Sequence, residues 1–364
     1  MRIAMFGHKH IFTTEGGIEV VVSELVPLLA MENEVTVYDR WEIDSPPTTP
    51  KAPKNVKIKH SLTHSKSAIN AQLSSLVSTL QCLFGKYDII HIHAEGPCVF
   101  LPLLKLFRKK TVVTIHGLDW QRDKWGKFAR WYIRLGEKMA AKYADRIIVL
   151  SKDVQDYFKK TYNRDTVMIR NGVSITPNYS TDELEKFGIK KHKYVLYLGR
   201  FAPEKRLDLL YNAYKKSALD MKMVFAGPFK DLKQDLEWYK EAAKDLDVIF
   251  TGHVSGALKD QLYTNAGIFV LPSNLEGMSI SLLEALGYGC RVVASDIPEN
   301  KDIMHGFGKT FVSGDVESLA EALKESANTP INREEQMNFI KENYDWGHVA
   351  GETLKLYKEV LKEK

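Results

Sequence analysis

Residues 268–285 read Ile268-Phe269-Val270-Leu271-Pro272-Ser273-Asn274-Leu275-Glu276-Gly277-Met278-Ser279-Ile280-Ser281-Leu282-Leu283-Glu284-Ala285. The apolar run over 268–272 has the composition of a buried strand, a short polar turn follows, and a helical pattern opens at Met278-Ser279. A buried strand turning directly into a helix is the repeating unit of a parallel sheet. Backbone N–H groups at the start of such a helix attract phosphate and other anions. Glu276 stands in the turn, where a carboxylate accepts from ligand hydroxyls. Glu284 lies eight positions later and reaches a different part of a long ligand. The stretch therefore predicts a site for a sugar joined to a nucleotide through a pyrophosphate. The spacing alone favours the plainer reading, a helix whose Glu276 serves its dipole and whose Glu284 is solvated, so the case rests on other residues with the same ligand logic.

Working outward, short β-rich runs alternate with longer helical patterns along the whole chain. Strands are expected over 3–6, 34–39, 87–93, 111–116 and 146–151, then over 194–199, 222–226, 248–252, 268–272, 291–295 and 309–312. Helices are expected over 18–30, 127–143, 152–161, 206–217, 231–244, 257–266, 279–288 and 316–327. This α/β order predicts two doubly wound, Rossmann-like domains facing a central cleft, with ligands at the carboxyl ends of the strands. The expected boundaries are 1–175 and 176–342, with Asn171-Gly172-Val173 and the polar segment 176–184 at the hinge. A terminal helix within 343–364 is expected to cross back to the N-terminal domain. Pro46-Pro47-Thr48-Thr49-Pro50 reads as an extended loop. A helix over 69–84 with Leu73, Leu76, Val77, Leu80 and Phe84 is expected to pack on the core, a lipid surface being the alternative.

A chain of 364 residues is too long for one ordinary core. No window has the length and apolarity of a membrane span, and the chain opens directly on a strand pattern, so no leader is expected. Cys82, Cys98 and Cys290 lie in apolar contexts without metal-ligand spacing, which fits buried thiols in a reducing cytoplasm. Residues 1–180 hold 26 Lys/Arg against 17 Asp/Glu, whereas residues 181–364 hold 25 against 29. The basic half is expected to meet an anionic surface or acceptor, through Lys51, Lys54, Lys57, Lys59 or the Arg108-Lys109-Lys110 cluster, or else to be solvated. A nucleic-acid partner is not expected.

Four further loops carry unusual residues. Gly16-Gly17 precedes a helix and lets the backbone approach a phosphate, although a tight turn explains the pair as well and the spacing is not that of a dinucleotide fingerprint. Gly199-Arg200-Phe201-Ala202-Pro203-Glu204-Lys205 offers two cations to a diphosphate, where negative charge grows as the leaving group departs. His116-Gly117-Leu118-Asp119-Trp120-Gln121-Arg122 follows a buried strand and supplies groups for sugar hydroxyls. Gly252-His253-Val254-Ser255 closes another strand. His91 and His93 point to one face of their strand without a third metal ligand and read as core-edge residues, and Asp245-Leu246-Asp247 reads as a chance carboxylate pair. No Ser-His-Asp set, zinc motif or P-loop is present.

Taken together, Gly16-Gly17, His116, the Gly199-Arg200…Glu204-Lys205 loop and the Glu276…Glu284 pair with Gly277 and Ala285 resemble the retaining glycosyltransferases of family 4, which have the GT-B fold. The stretch 116–127, with Glu95-Gly96-Pro97 and Ser295-Asp296-Ile297-Pro298-Glu299-Asn300, is similar to a bacterial surface-polysaccharide, rhamnosyltransferase-like branch. Where the family often has Gly-Phe-Gly, this chain has Gly277-Met278-Ser279, which narrows the backbone pocket. The resemblance implies that Glu284 holds the ribose hydroxyls, Arg200 and Lys205 the pyrophosphate, and Glu276 and His116 the donor sugar. It implies that Gly277, Met278, Ser279 and Ile280 support the sugar and phosphates through backbone, that Gly16 and Gly17 lie near the phosphate and acceptor, and that His253 and Val254 flank the base.

The expected reaction is transfer of a hexose from a nucleoside diphosphate to a hydroxyl of a glycan or lipid-linked glycan, with retention, by a cytoplasmic or peripherally membrane-bound enzyme. No metal or other cofactor is expected, because Arg200, Lys205 and the helix starts neutralise the diphosphate. A carboxylate on both ribose hydroxyls favours UDP or GDP over dTDP. The rivals are a nucleotide-sugar epimerase on the same fold, which needs an acid and a base at the anomeric site, and a non-catalytic nucleotide-sugar or glycan-binding protein, which needs no pyrophosphate grip.

Overall fold

The computed structural model describes residues 1–13, 16–43, 51–63, 69–122, 125–228 and 237–363; the 46–50 loop and the 231–236 part of the expected 231–244 helix lie outside them. The chain forms two compact units. Unit 1 comprises Met1–Gly172 with Trp346–Lys364, and unit 2 comprises Val173–Asp345.

Unit 1 is built on a seven-stranded sheet of β1 (Arg2–Phe6), β2 (Glu34–Glu42), β3 (Val56–Thr63), β4 (Ile89–His93), β5 (Thr111–Ile115), β6 (Arg146–Val149) and β7 (Val167–Met168). All pairings are parallel, in the order β3-β2-β1-β4-β5-β6-β7. β4 and β5 are buried at every position, as expected of strands covered by helices on both faces. Phe6, Ile92, Val113, Ile115 and Phe158 lie in their shared core. Strand order reverses between β1 and β4, and the chain directs ligand loops to such a point. There Gly7, at φ +114°, passes so close to β4 that a Cβ would sit 2.0 Å from the His93 carbonyl oxygen, which only glycine permits.

Unit 2 holds β8 (Tyr194–Leu198), β9 (Lys222–Ala226), β10 (Val248–Gly252), β11 (Ile268–Leu271), β12 (Val292–Ser295) and β13 (Lys309–Phe311), again all parallel, in the order β10-β9-β8-β11-β12-β13. Val195, Phe225 and Val270 from the sheet pack with Leu210 and Leu319 from helices Leu207–Ser217 and Val316–Asn328. The reversal here falls between β8 and β11, so the loops carrying Arg200 and Glu276 diverge from one point.

Several elements differ from the sequence reading. β3 was not foreseen: Val56-Lys57-Ile58-Lys59-His60-Ser61-Leu62-Thr63 is largely polar and survives as a strand because it sits at the sheet edge. The helices Pro298–Met304 and Arg333–Asn343 were also unforeseen. His91 and His93 are not at the core edge but fully buried. His91 bridges Thr114 Oγ1 at 2.7 Å and the hydroxyl of Tyr357 at 2.6 Å, which ties the helix Trp346–Lys362 into unit 1.

The largest correction concerns the helix Asn70–Phe84. Its buried face is Asn70, Ser74, Ser75, Ser78, Thr79 and Cys82, while Leu73, Leu80 and Phe84 are exposed. Of the five residues expected to pack on the core, Leu76 and Val77 are only partly buried and the other three are exposed, while Cys82 and Leu83 of the same helix meet the core instead. Small hydroxyls can be buried on that side: Ser78 Oγ lies 2.6 Å from Ser61 Oγ of β3, and Ser75 and Thr79 satisfy themselves by donating back to the carbonyls of Ala71 and Ser75 in their own helix, each at 2.7 Å.

Candidate active site

In unit 2 the loop after β8 is held by its own strand ends. Gly227, at φ +155°, approaches so closely that a Cβ would lie 1.8 Å from the Gly199 carbonyl oxygen. The Tyr197 hydroxyl donates to the Arg200 carbonyl at 2.8 Å, and a 3-10 turn at Pro203–Lys205 follows. The Arg200 guanidinium stands 3.7 Å from the buried Glu204 carboxylate. The Asn274 N–H donates to the Glu204 carbonyl at 3.0 Å, which fastens this loop to the one after β11.

That fastening brings the cation and the turn carboxylate together. Lys205 Nζ donates to Glu276 Oε1 at 2.5 Å, and both side chains are largely withdrawn from solvent. Beyond Glu276, Ser279 caps the helix Ile280–Gly287 by accepting from the Leu282 N–H at 3.3 Å. The serine in place of a second glycine therefore has its hydroxyl engaged by the helix rather than projecting at a ligand. Met278 and Ser279 are buried, and Gly277 and Ile280 partly so.

Glu284, one turn into the same helix, has both oxygens engaged. Oε1 accepts from Lys259 Nζ at 2.9 Å and Oε2 from the Tyr263 hydroxyl at 2.9 Å. Lys259 and Tyr263 are four residues apart on helix Gly256–Thr264, so one helix face presents both donors. Burial, reinforced by the Glu284 charge, holds the Tyr263 hydroxyl well above its usual pKa, so it stays a donor. The sequence reading missed this pair; the i, i+4 spacing was visible, but nothing in the chain told which carboxylate the face would meet. His253, just past β10, is exposed and Val254 is buried. Asp245, half of the supposed carboxylate pair, is bound to Lys215 at 2.8 Å.

In unit 1, Gly16 caps the helix Gly17–Leu29 with extended backbone and no side-chain cap, and a Cβ on Gly17 would meet nothing within 4 Å. Glu19 in the first turn accepts from the Lys9 N–H at 2.9 Å. His116 Nε2 lies 3.0 Å from His93 Nδ1, the rings stacked with centroids 5.3 Å apart. Burial pushes the His116 pKa down to about 4, with Asp119 opposing and Arg122 adding to the shift, so the ring is neutral at pH 7 and acts as a hydrogen-bonding group. Asp119 and Arg122 bind each other, Nε to Oδ1 at 2.8 Å.

Two buried carboxylates brace this loop, and sequence reasoning assigned neither. Glu95 Oε1 accepts from the Asp119 N–H at 3.0 Å, and burial pushes its pKa well above the usual carboxylate range. Glu137 accepts from Trp120 Nε1 at 3.0 Å and from the hydroxyls of Tyr157 and Tyr162. Among the described residues, no group of three or more His, Cys, Asp and Glu is arranged to hold a metal ion.

The fold is that of a glycosyltransferase. Residues 180–346 match the profile described as "Glycosyl transferases group 1", and residues 15–176 match "Glycosyltransferase Family 4". The chain belongs to the family 4 glycosyltransferases and has the GT-B fold. It is 25% identical to alpha-maltose-1-phosphate synthase of Mycolicibacterium smegmatis over 99% of this chain and 100% of that one. It is also 25% identical to phosphatidyl-myo-inositol mannosyltransferase of Mycobacterium leprae, over 76% and 74% of the two chains. Among solved structures, sucrose-phosphate synthase from Thermosynechococcus elongatus aligns with a TM-score of 0.82 at 18% identity over all of both chains. Anabaena HepE, solved in complex with UDP and glucose, aligns at 0.76 with 16% identity over 99% and 100%.

Proposed function

We propose that the protein is a retaining hexosyltransferase that moves a sugar from a nucleoside diphosphate to a hydroxyl of a glycan or lipid-linked glycan in cell-surface polysaccharide synthesis. The observation that carries this reading is the division of labour along 276–284. At one end Lys205, with Arg200 in the same loop, supplies cations beside Glu276. At the other end Glu284 is held as an oriented carboxylate. A diphosphate needs the first group and a ribose the second. The relative solved with UDP and glucose supports a nucleotide-sugar donor.

In this reading Glu284 takes the ribose hydroxyls, which favours UDP or GDP over dTDP, and the 277–280 backbone with the helix start takes phosphate oxygens. Lys205 and Arg200 stabilise the diphosphate as the bond from the anomeric carbon to its oxygen breaks. The acceptor oxygen bonds to that carbon on the same face, and its proton passes to the departing phosphate oxygen. Neutral His116 and Glu276 bind sugar hydroxyls, Gly16 and Gly17 leave room for phosphate and acceptor, and His253 with Val254 flank the base. These cations make a metal unnecessary, and the enzyme works in the cytoplasm.

The test is calorimetric titration of UDP, GDP and dTDP without metal, followed by product analysis with the donor sugar of the nucleotide that binds. Binding of one nucleotide and an acceptor-dependent product with retained anomeric configuration is the expected result. A donor converted to a new nucleotide sugar without acceptor would make the protein an epimerase. Binding without turnover across acceptors would make it a binding protein.

A further inference from the structure

We propose that unit 1 carries a docking surface for an anionic lipid bilayer, formed by the outward face of helix Asn70–Phe84 and the exposed end of helix Leu101–Leu106. The first helix contains no charged residue, and much of its apolar stripe faces solvent: Ile69 at its cap is 57% exposed, Leu73 37%, Leu80 41% and Phe84 87%, with Leu76 and Val77 between them half-buried. Leu106 and Phe107 are exposed at the end of helix Leu101–Leu106, close in sequence to Lys109, whose Nζ reaches the Gly85 carbonyl just past Phe84. Such a face is normally buried, and here the polar side is buried instead, with the Ser75, Ser78 and Thr79 hydroxyls bonded.

The rim identifies the occupant. Lys109 Nζ donates to the Gly85 carbonyl at 2.8 Å, and Lys59 Nζ lies 3.4 Å from the Tyr87 hydroxyl, so both cations stand at the Phe84 end of the helix. Lys86 is exposed next to them, and Arg108 and Lys110 flank Lys109 in the chain. Residues 70–87 and 96–118 contain no Asp or Glu. The acids at the margins are engaged: Asp88 with Arg2, and Glu42 with Lys9 and the Asn70 side chain. A second copy meeting this face symmetrically would set like cations against each other. An anionic bilayer complements both features at once, taking the apolar stripe at the acyl boundary and the cations at the headgroups. A fifteen-residue helix joined to a sheet edge lies along such a surface and does not cross it, and no helix among the described residues is long and apolar enough to cross a membrane.

Vesicle flotation of the full chain tests this, using phosphatidylcholine vesicles and mixed phosphatidylcholine–phosphatidylglycerol vesicles. The wild type is expected to float with the mixed vesicles only, and to be released near 1 M salt, where the Debye length is about 3 Å. Leu80→Gln with Phe84→Gln is expected to lower the partition coefficient at least about tenfold, and Lys59→Glu with Lys86→Glu to do the same. All four positions are exposed, so thermal melting should match the wild type and a loss of flotation cannot be assigned to unfolding. No flotation of the wild type, or equal flotation of all three proteins, would overturn the proposal. So would a wild-type dimer by light scattering that the Leu80/Phe84 variant converts to monomer, since the face would then be a contact between copies. None of these readouts depends on a donor, so the active-site reading stands or falls separately.

Discussion

The Glu284 carboxylate gives the sharpest prediction about the donor. It offers about four acceptor positions, and Lys259 and Tyr263 fill one on each oxygen. The remaining positions match the two hydroxyls of a ribose. A hydrogen bond to a charged group contributes about 1.5–3 kcal/mol, and the lower figure applies because water occupies the same lone pairs before binding. Glu284→Ala should therefore weaken UDP by about 3 kcal/mol, or roughly 150-fold. Removing one hydroxyl from the ligand, as in 2′-deoxy-UDP, should cost the wild type about tenfold. In Glu284→Ala the two ligands should bind within about twofold of each other, because the group that distinguishes them is gone. Tyr263→Phe leaves the carboxylate on Lys259 alone and should reduce the wild-type discrimination about threefold by loosening its orientation. Calorimetry of both ligands on the three proteins provides the cycle, with Glu284→Gln as a control for the cation that Glu284→Ala leaves without its anion. Unchanged discrimination in Glu284→Ala would refute the ribose assignment, even if overall affinity dropped.

Lys205→Met strands Glu276 without its cation and removes positive charge from the diphosphate, so kcat should fall at least about 100-fold in a donor-saturated assay, with Lys205→Arg retaining more of it. Gly227→Ala places a Cβ 1.8 Å from the Gly199 carbonyl oxygen, and should destabilise the fold by about 2 kcal/mol or more in urea titrations. Folding stability should fall in mild acid. Burial lowers His91 to about 3, His116 to about 4 and His93 well below its usual value, so each takes up its proton on unfolding. The contribution is fully present above about pH 6.5 and is lost as pH falls toward 4 and 3, at up to about 1.4 kcal/mol per pH unit for each histidine. Denaturant midpoints at successive pH values should show this slope, and His91→Gln should reduce it.

The parallel-sheet architecture was readable because buried strands such as Thr111–Ile115 and Ile268–Leu271 are short apolar runs followed at once by turn residues and helices. What could not be read was partnership. Lys205 and Glu276 are 71 residues apart, and Glu284 meets Lys259 and Tyr263 from a different helix. Those contacts exist because strand order reverses between β8 and β11, which brings loops distant in the chain to one point. Composition and spacing place a carboxylate in a turn, but only the sheet decides which cation stands opposite it. The same holds for Glu95 and Glu137, whose partners come from the loop that follows His116.

The helix Asn70–Phe84 shows a different limit. Periodicity establishes that Leu73, Leu76, Leu80 and Phe84 share a face, and it is identical whether that face turns inward or outward. The deciding information lay on the other face, where Ser74, Ser75, Ser78 and Thr79 are small enough to approach the sheet edge, Ser78 pairs with Ser61 there, and Ser75 and Thr79 satisfy their hydroxyls on their own helix. Turning the helix over would place bulky leucines against β3 and leave Ser61 Oγ without the hydroxyl it now faces, so the sheet edge fixes the orientation before any partner arrives. The exposed stripe is thus built into the folded domain itself. If the mixed vesicles bind it, the membrane meets a surface that is already formed, and binding requires no rearrangement of unit 1.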